Sequence, residues 1–400
     1  MKGFLLSLVV FVVFHGVLPA GASEWDCAST SGTFERSTDC TMGDEVAVSG
    51  DLTVTGKETV YSTLTAASGK RHFKIDSGAH RVSLSWLNMT GGNVGSSSNG
   101  GSIYVKDVAA HLNISHCVFF NNRAGSYGGA IYADEGQPNL FFSFARFTEN
   151  KADSYGGAVF LDNAKLVDHS SMYNMNTADS GGALYMWSGS HSSFFNSSLV
   201  SNTAVRGGGG IYIFGYSPSS FLDMSSVTLQ SNKQIGGGTN GGWGGGGLNL
   251  YGKVTANIRE CTFIRNEATE GSTGNKHGHQ IFTRKSSSDI PSIAIVNTNF
   301  TDVSGSHPFY GNEWDGDMGT YPGTHGADKY VSPTTCASNP CTVTPFTGSC
   351  SARTNTLHGT LCQGTPSSCP SENYLGSSSV SESSLPPTAK CTPWTVCGGG

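Results

Sequence analysis

The sequence predicts an all-β protein folded as a right-handed parallel β-helix, a solenoid with an N-terminal cap and a Cys-rich, irregular C-terminal region. Three observations carry that prediction. Two short motifs, Gly-Gly-small-aliphatic and apolar-x-x-Asn, alternate six times through the middle of the chain. The asparagines of the second motif, Asn122, Asn150, Asn176, Asn202, Asn232 and Asn266, follow one another at 28, 26, 26, 30 and 34 residues. That spacing suits one coil of a three-faced solenoid; it is too long for a hexapeptide helix and too irregular for a propeller blade. Between the motifs lie short alternating runs separated by Gly, Ser and Asn, with no helical period.

The elements follow in chain order. Residues 1–22 read as a secretory signal peptide, with Lys2 before the apolar run Phe4 to Leu18 and Ala20-Gly21-Ala22 as a small-residue cleavage site before Ser23. The competing reading, a membrane anchor, needs about 20 apolar residues and the run is shorter. No later segment is long and apolar enough to span a membrane. Residues 23–43 are expected to cap the first coil, pinned by a Cys27–Cys40 disulfide, because a bare solenoid end exposes core and unpaired strand edge. The solenoid itself is expected over 44–303. It opens with irregular coils around Val46-Ala-Val48, Leu52-Thr-Val54, Phe73-Lys-Ile75 and Val82-Ser-Leu84. Residues 304–400 carry seven cysteines, Cys336 to Cys397, and read as a loop-rich region. Seven is odd, and Cys397-Gly-Gly-Gly does not read as a finished domain, so a continuation past Gly400, into a membrane anchor or further modules, stays open.

Alternation after each Gly-Gly fixes which residues face inward. One inner column should carry Ile103, Ile131, Val159, Leu184, Ile211 and Leu248, and a second Phe119, Phe147, Tyr173, Leu199, Leu229 and Phe263. Gly-Gly permits a positive φ at a tight corner, and the small residue after it clears the neighbouring coil. The asparagines can stack as a ladder whose amides donate and accept between coils.

Composition narrows the function classes. There are 54 glycines without a three-residue period, which excludes collagen, and β-branched and aromatic residues recur too regularly for disorder. With 13% charged residues and a net charge of −6, there is no basic footprint for nucleic acid. Eleven cysteines in an exported chain point to disulfides. Cys117 and Cys261 are five repeat units apart, too far to bond at about 4.8 Å per coil, and are expected to be free, buried thiols.

The alternating Gly-Gly-Ala-Ile and Phe-x-x-Asn units resemble the repeats of chlamydial polymorphic outer membrane proteins over about residues 100 to 300, and similar β-helix proteins of protists. The resemblance implies the parallel β-helix fold and a surface-displayed adhesin. Those bacterial proteins are exported as autotransporters, and this chain lacks their C-terminal run of amphipathic barrel strands. Its tail, ending Cys391-Thr-Pro-Trp-Thr-Val-Cys397, looks more like an extracellular eukaryotic module.

Parallel β-helices of the pectin lyase-like fold also include polysaccharide lyases and glycoside hydrolases, so an acid pair with a cation warrants weighing. Asp134 and Asp162 fall at equivalent outward positions on adjacent coils, and Lys106 precedes them. No third acid follows in the column, so solvated carboxylates are the competing reading. The polygalacturonase signatures are not present as a set. No metal site is expected. His277-Gly-His279 could bind a metal with a third ligand, against the commoner reading of exposed loop histidines, and Glu313, Asp315 and Asp317 could form a Ca²⁺ loop but read first as a solvated acidic turn. Gly236 to Gly241 formally matches G-x-G-x-x-G but does not lie between a strand and a helix, and reads as a corner insertion. Sequons at Asn88, Asn113, Asn196 and Asn299 are candidate glycosylation sites.

The outward column holds Tyr104, Tyr132, Phe160, Tyr185 and Tyr212, with Trp187, Phe214 and Tyr251 beside it. Two readings compete: a ladder that only supports the sheet, and a contact surface for a glycan or a cell-surface protein. A secreted or cell-surface protein that presents a binding surface is the leading functional expectation, ahead of a carbohydrate-cleaving enzyme and a structural wall component.

Overall fold

A computed structural model describes residues 22–311, apart from 77, 79, 107–109, 135, 237–243, 270–278, 285, 287–288, 290, 297 and 302–308. The described residues form strands and no helix, and the strand pairings along the stack are parallel. Each repeat unit makes one rung. In the rung that starts at Ile103, the strands are Ile103–Val105, His111–Ser115, Val118–Phe120 and Arg123–Gly125. The first two belong to one 19-stranded sheet, and the third and fourth to sheets of ten and seven strands. Residues 1–21, which hold the expected signal peptide, the Cys336 to Cys397 cluster, His277 and the expected Glu313, Asp315 and Asp317 turn lie outside the described residues, as does most of Gly236 to Gly241.

Parallel pairing begins before residue 44. Gly32–Arg36 pairs with Leu52–Gly56, and Cys40–Thr41 with Leu64 and Thr65. The 23–43 segment thus contributes strands of its own while Trp25, fully buried and stacked on Phe73 at 5.7 Å, closes the end of the core. Cys27 and Cys40 are bonded, with Cα atoms 6.5 Å apart.

The inner columns form as the alternation requires. Ile103, Ile131, Val159, Leu184, Ile211 and Leu248 are in direct register and fully buried. Phe119, Phe147 and Tyr173 stack at 4.8 Å per step in the second column. Gly128 shows why the motif needs glycine twice. Its φ is +63°, where an added Cβ would sit 2.2 Å from the Ile131 carbonyl oxygen, and a Cβ on Gly129 would lie 2.1 Å from that of Gly157.

Two further corners per rung use positive φ without glycine. One column runs Trp86, His116, Phe144, Ser170, Asn196, Ser226 and Glu260; the other runs Asn121, Glu149, Met175, Ser201, Ser231 and Arg265. Side chains in this region cost about 1–2 kcal/mol each, which the stacked rungs offset.

The asparagine ladder holds the second corner together. Each Nδ2 donates to the Oδ1 of the next asparagine, from Asn122–Asn150 at 3.1 Å to Asn232–Asn266 at 2.8 Å. Each also donates to a backbone carbonyl of the rung before, as Asn150 does to Phe119 at 2.9 Å. Where the ladder would continue backwards stands Gly92, which has no side chain to reach the Leu64 carbonyl. The Nε2–H of His72 lies 3.0 Å from that carbonyl oxygen and 3.1 Å from that of Thr90. At the far end Gln280 accepts from Asn266. His72 and Gln280 occupy the same column, the small position after Gly-Gly held by Ala130 and Ala158 in between. A long polar side chain in the small-residue column therefore terminates the ladder at each end.

An acidic side chain sits inside the core. Asp168 is fully buried, in register between Phe142 and Phe194. It accepts from the Tyr173 hydroxyl at 2.8 Å and from Ser197. Burial pushes its carboxyl up to about 6, against the lowering effect of these hydrogen bonds.

Candidate functional site

The outward residues of the Gly-Gly strands stack because their strands are in register. Ring centroids of Tyr104, Tyr132, Phe160, Tyr185 and Tyr212 follow at 5.4, 5.3, 5.2 and 4.9 Å, with interplanar angles of 23° or less. The rung spacing imposes this arrangement, since adjacent parallel strands lie about 4.8 Å apart.

Outside the sheet is not the same as exposed. Tyr132, Phe160, Tyr185 and Tyr212 are only 6, 3, 3 and 8% exposed. This corrects the expectation that the column is itself a contact surface. A second row of rings covers it: Tyr127 lies 4.8 Å from Phe160, and Tyr155 lies 4.7 Å from Tyr185. Both residues sit just before a Gly-Gly corner, in the repeated Ser-Tyr-Gly-Gly of 126–129 and 154–157. That repeat was the available sequence signal for the covering row. The rings form a second apolar cluster on the sheet's outer side. Burial pushes the Tyr104 hydroxyl up to about 12 and raises those of Tyr132, Tyr185 and Tyr212 as well.

The neighbouring column is open. Trp187 stacks on Phe214 at 4.8 Å, Tyr251 lies against Phe214 at 4.8 Å with its ring tilted by 36°, and Tyr216 lies 6.0 Å from Phe214. Trp187 is 37% and Tyr216 54% exposed. Sequence reasoning overlooked Tyr216, which extends the long strand Ile211–Ser225 beyond the sheet position of its neighbours. Because the rings stack on one another, they spend their faces internally and turn edges to solvent. Arg71 lies 5.1 Å over Tyr104, and Arg284 5.3 Å over Tyr251. The chain's own guanidinium groups thus cover two faces that the stacks leave uncovered.

Asp134 and Asp162 do lie on adjacent rungs. Asp134 is buried, accepts the Tyr104 hydroxyl at 3.3 Å and lies 3.8 Å from the Lys106 ammonium. Lys106 and Tyr104 therefore offset its charge. Among the described residues no cluster of three His, Cys, Asp or Glu side chains could hold a metal ion. His279 Nδ1 accepts the Ala268 amide at 3.0 Å.

The sequons differ in accessibility. Asn113 and Asn196 are exposed, Asn196 at a positive-φ corner. Asn88 is half-buried, its Nδ2 3.5 Å from the Thr63 hydroxyl. Asn299 lies in the strand Asn299–Thr301, and its side chain is outside the described residues. Cys117 and Cys261 are buried free thiols, pushed up to about 12 and about 11 by burial.

Residues 116–134 match the Chlamydia polymorphic membrane protein repeat. The matched segment runs from the His116 corner through Phe119-Phe-Asn-Asn122 and Gly128-Gly-Ala-Ile131 to Asp134, so it contains one copy of each motif. The chain is a parallel β-helix carrying repeats of this kind. That repeat is one of a membrane-associated surface family, which gives coarse support to a cell-surface place. No curated protein and no solved structure matches the chain. No helix among the described residues is long and apolar enough to cross a membrane.

Proposed function

We propose that the chain is an exported, surface-displayed β-helix that binds another protein through the open aromatic column of Trp187, Phe214, Tyr216 and Tyr251. The observation that carries the reading is the contrast between two columns of one sheet. One is sealed by the chain's own tyrosines, and the other leaves large rings in water. Exposed aromatics grouped on a rigid support are the usual anchors of a protein interface. A protein partner is favoured over a glycan because sugars stack on ring faces, whereas these rings offer mostly edges. The repeat relationship supports a place at the cell surface, and the apolar N-terminal run supports export.

The test is cell binding by the purified chain. The double variant Trp187→Ser with Tyr216→Ser should lose binding at least tenfold while still unfolding in a single cooperative transition, lowered only by the lost ring contacts to Phe214 and Tyr185. Unchanged binding, or binding abolished by glycan removal from the cells but not by the double variant, would overturn the reading.

A further inference from the structure

Trp86, His116 and Phe144 stack along the corner that follows the second strand of each rung, at 4.1 and 4.8 Å. The stack ends at Phe144. In the next three rungs the same corner holds Ser170, Asn196 and Ser226, each at a positive φ. Phe144 stays 46% exposed with His116 on one face, and the corner residue that the next rung sets on its other side is only a serine. Phe144 and Asn196 thus stand about 10 Å apart along the axis, with Ser170 between them. Asn196 opens the sequon Asn196-Ser-Ser198. It is exposed, and its side-chain amide makes no hydrogen bond among the described residues. The sequon amides at Asn113 and Asn88 are instead engaged, with Ser83 at 3.3 Å and Thr63 at 3.5 Å.

We propose that Asn196 carries an N-linked glycan whose first sugar packs on the face of Phe144 turned away from His116. The donor is an oligosaccharide held on a lipid carrier through a diphosphate and met during export. Asn196 Nδ2 forms the bond to C1 of the first sugar, the bond from C1 to the diphosphate oxygen breaks, and the amide proton passes to a base of the transferase. A pyranose ring presents C–H groups on its faces, and the negative face of a phenyl ring attracts them. The serine corner supplies the room. A sugar lying over Ser170 continues the stack that the protein's own rings break off there. The contact covers an apolar ring otherwise left in water. It leaves the column of Trp187 free, because the strand His191–Phe195 separates the two. The proposal shares the premise of export with the surface reading and is independent of the binding column.

The experiment uses the whole chain recovered from the cells that make it, with variants expressed in the same cells. Mass spectrometry should find the peptide holding Asn196 glycosylated, and enzymatic release of the glycan should leave aspartate in its place. Ser198→Ala removes the sequon and keeps Asn196. It should lower the melting temperature by about 2 °C. In the background of Phe144→Ser, a residue the next rung already tolerates at this corner, Ser198→Ala should change the melting temperature by less than about 0.5 °C. Phe144→Tyr, which keeps the ring, should preserve the full difference. An unmodified Asn196 overturns the proposal, and so does a glycan whose effect on melting is the same with and without the ring. If Asn196 is bare while cell binding still depends on Trp187 and Tyr216, the surface reading stands without the glycan. If Asn196 is glycosylated but cell binding ignores those rings, the surface reading is the one that fails.

Discussion

Asn176→Ala removes one link from the middle of the ladder, and the structure gives the size of the effect. The Asn176 Nδ2 donates to the Phe147 carbonyl and to Asn202 Oδ1, both at 2.9 Å. Its Oδ1 accepts the Asn150 amide at 2.9 Å and the Asn150 Nδ2 at 3.0 Å. After truncation Asn202 Oδ1 still receives the Asn176 amide, and Asn150 Nδ2 still reaches Phe119. The buried Phe147 carbonyl and Asn150 N–H lose these partners at a dry corner. Each such group costs about 1–3 kcal/mol, so the expected loss is about 4 kcal/mol. A solenoid responds locally, because its stability is close to a sum over neighbouring rungs. The assay is therefore hydrogen exchange at the Asn150 amide, read beside urea unfolding. Protection of that amide should collapse while the Ile103–Val105 strand exchanges as before. Met175→Ala, at the exposed neighbour, should change stability by less than about 0.5 kcal/mol. A loss below about 1 kcal/mol for Asn176→Ala, with Asn150 still protected, would refute the view that the ladder satisfies the corner.

Asp168 and His72, both buried, should give opposite pH dependences. Asp168 has a folded pKa of about 6, above its ordinary value of 3.8. Its protonated form suits the core, so stability falls as pH rises from about 4 to about 6, by about 3 kcal/mol in all. Asp168→Asn should remove that fall in pH-dependent urea titrations, and an unaltered slope would count against the burial argument. His72 is pushed down to about 4 from 6.5 by burial, so its contribution is complete above pH 6.5 and is lost as pH falls towards 4. His72→Gln, which keeps a donor for the Leu64 carbonyl, should abolish the loss; retention of the acid sensitivity would place its origin elsewhere. Cys117 and Cys261 should resist alkylation at pH 8 in the folded chain and react in urea, and fast labelling of the native protein would contradict their burial.

The solenoid was legible because its signals are local and repeated. Six copies of Gly-Gly-small fix the glycine corner, and alternation fixes what faces inward, so the inner columns from Ile103 to Leu248 could be written from spacing alone. The asparagine ladder was legible for the same reason: one amide per coil at a constant place in the motif. The corners at Trp86, His116 and Phe144 were not, because the positive φ there falls on residues that do not prefer it and is imposed by the stack. Nor was the role of His72, whose partner carbonyl at Leu64 is orphaned only because Gly92 lacks a side chain in the adjoining rung.

The aromatic column divides the same way. Period-two alternation determined that Tyr132, Phe160, Tyr185 and Tyr212 point away from the core, and register determined that they stack. Whether they meet water was settled by Tyr127 and Tyr155, which the corner of the preceding rung folds over Phe160 and Tyr185, while Trp187 and Tyr216 stay exposed among the described residues. Alternation along a strand specifies only which side of the sheet a residue occupies. Solvent contact depends on what other rungs place above that side, which is a matter of packing between segments far apart in sequence.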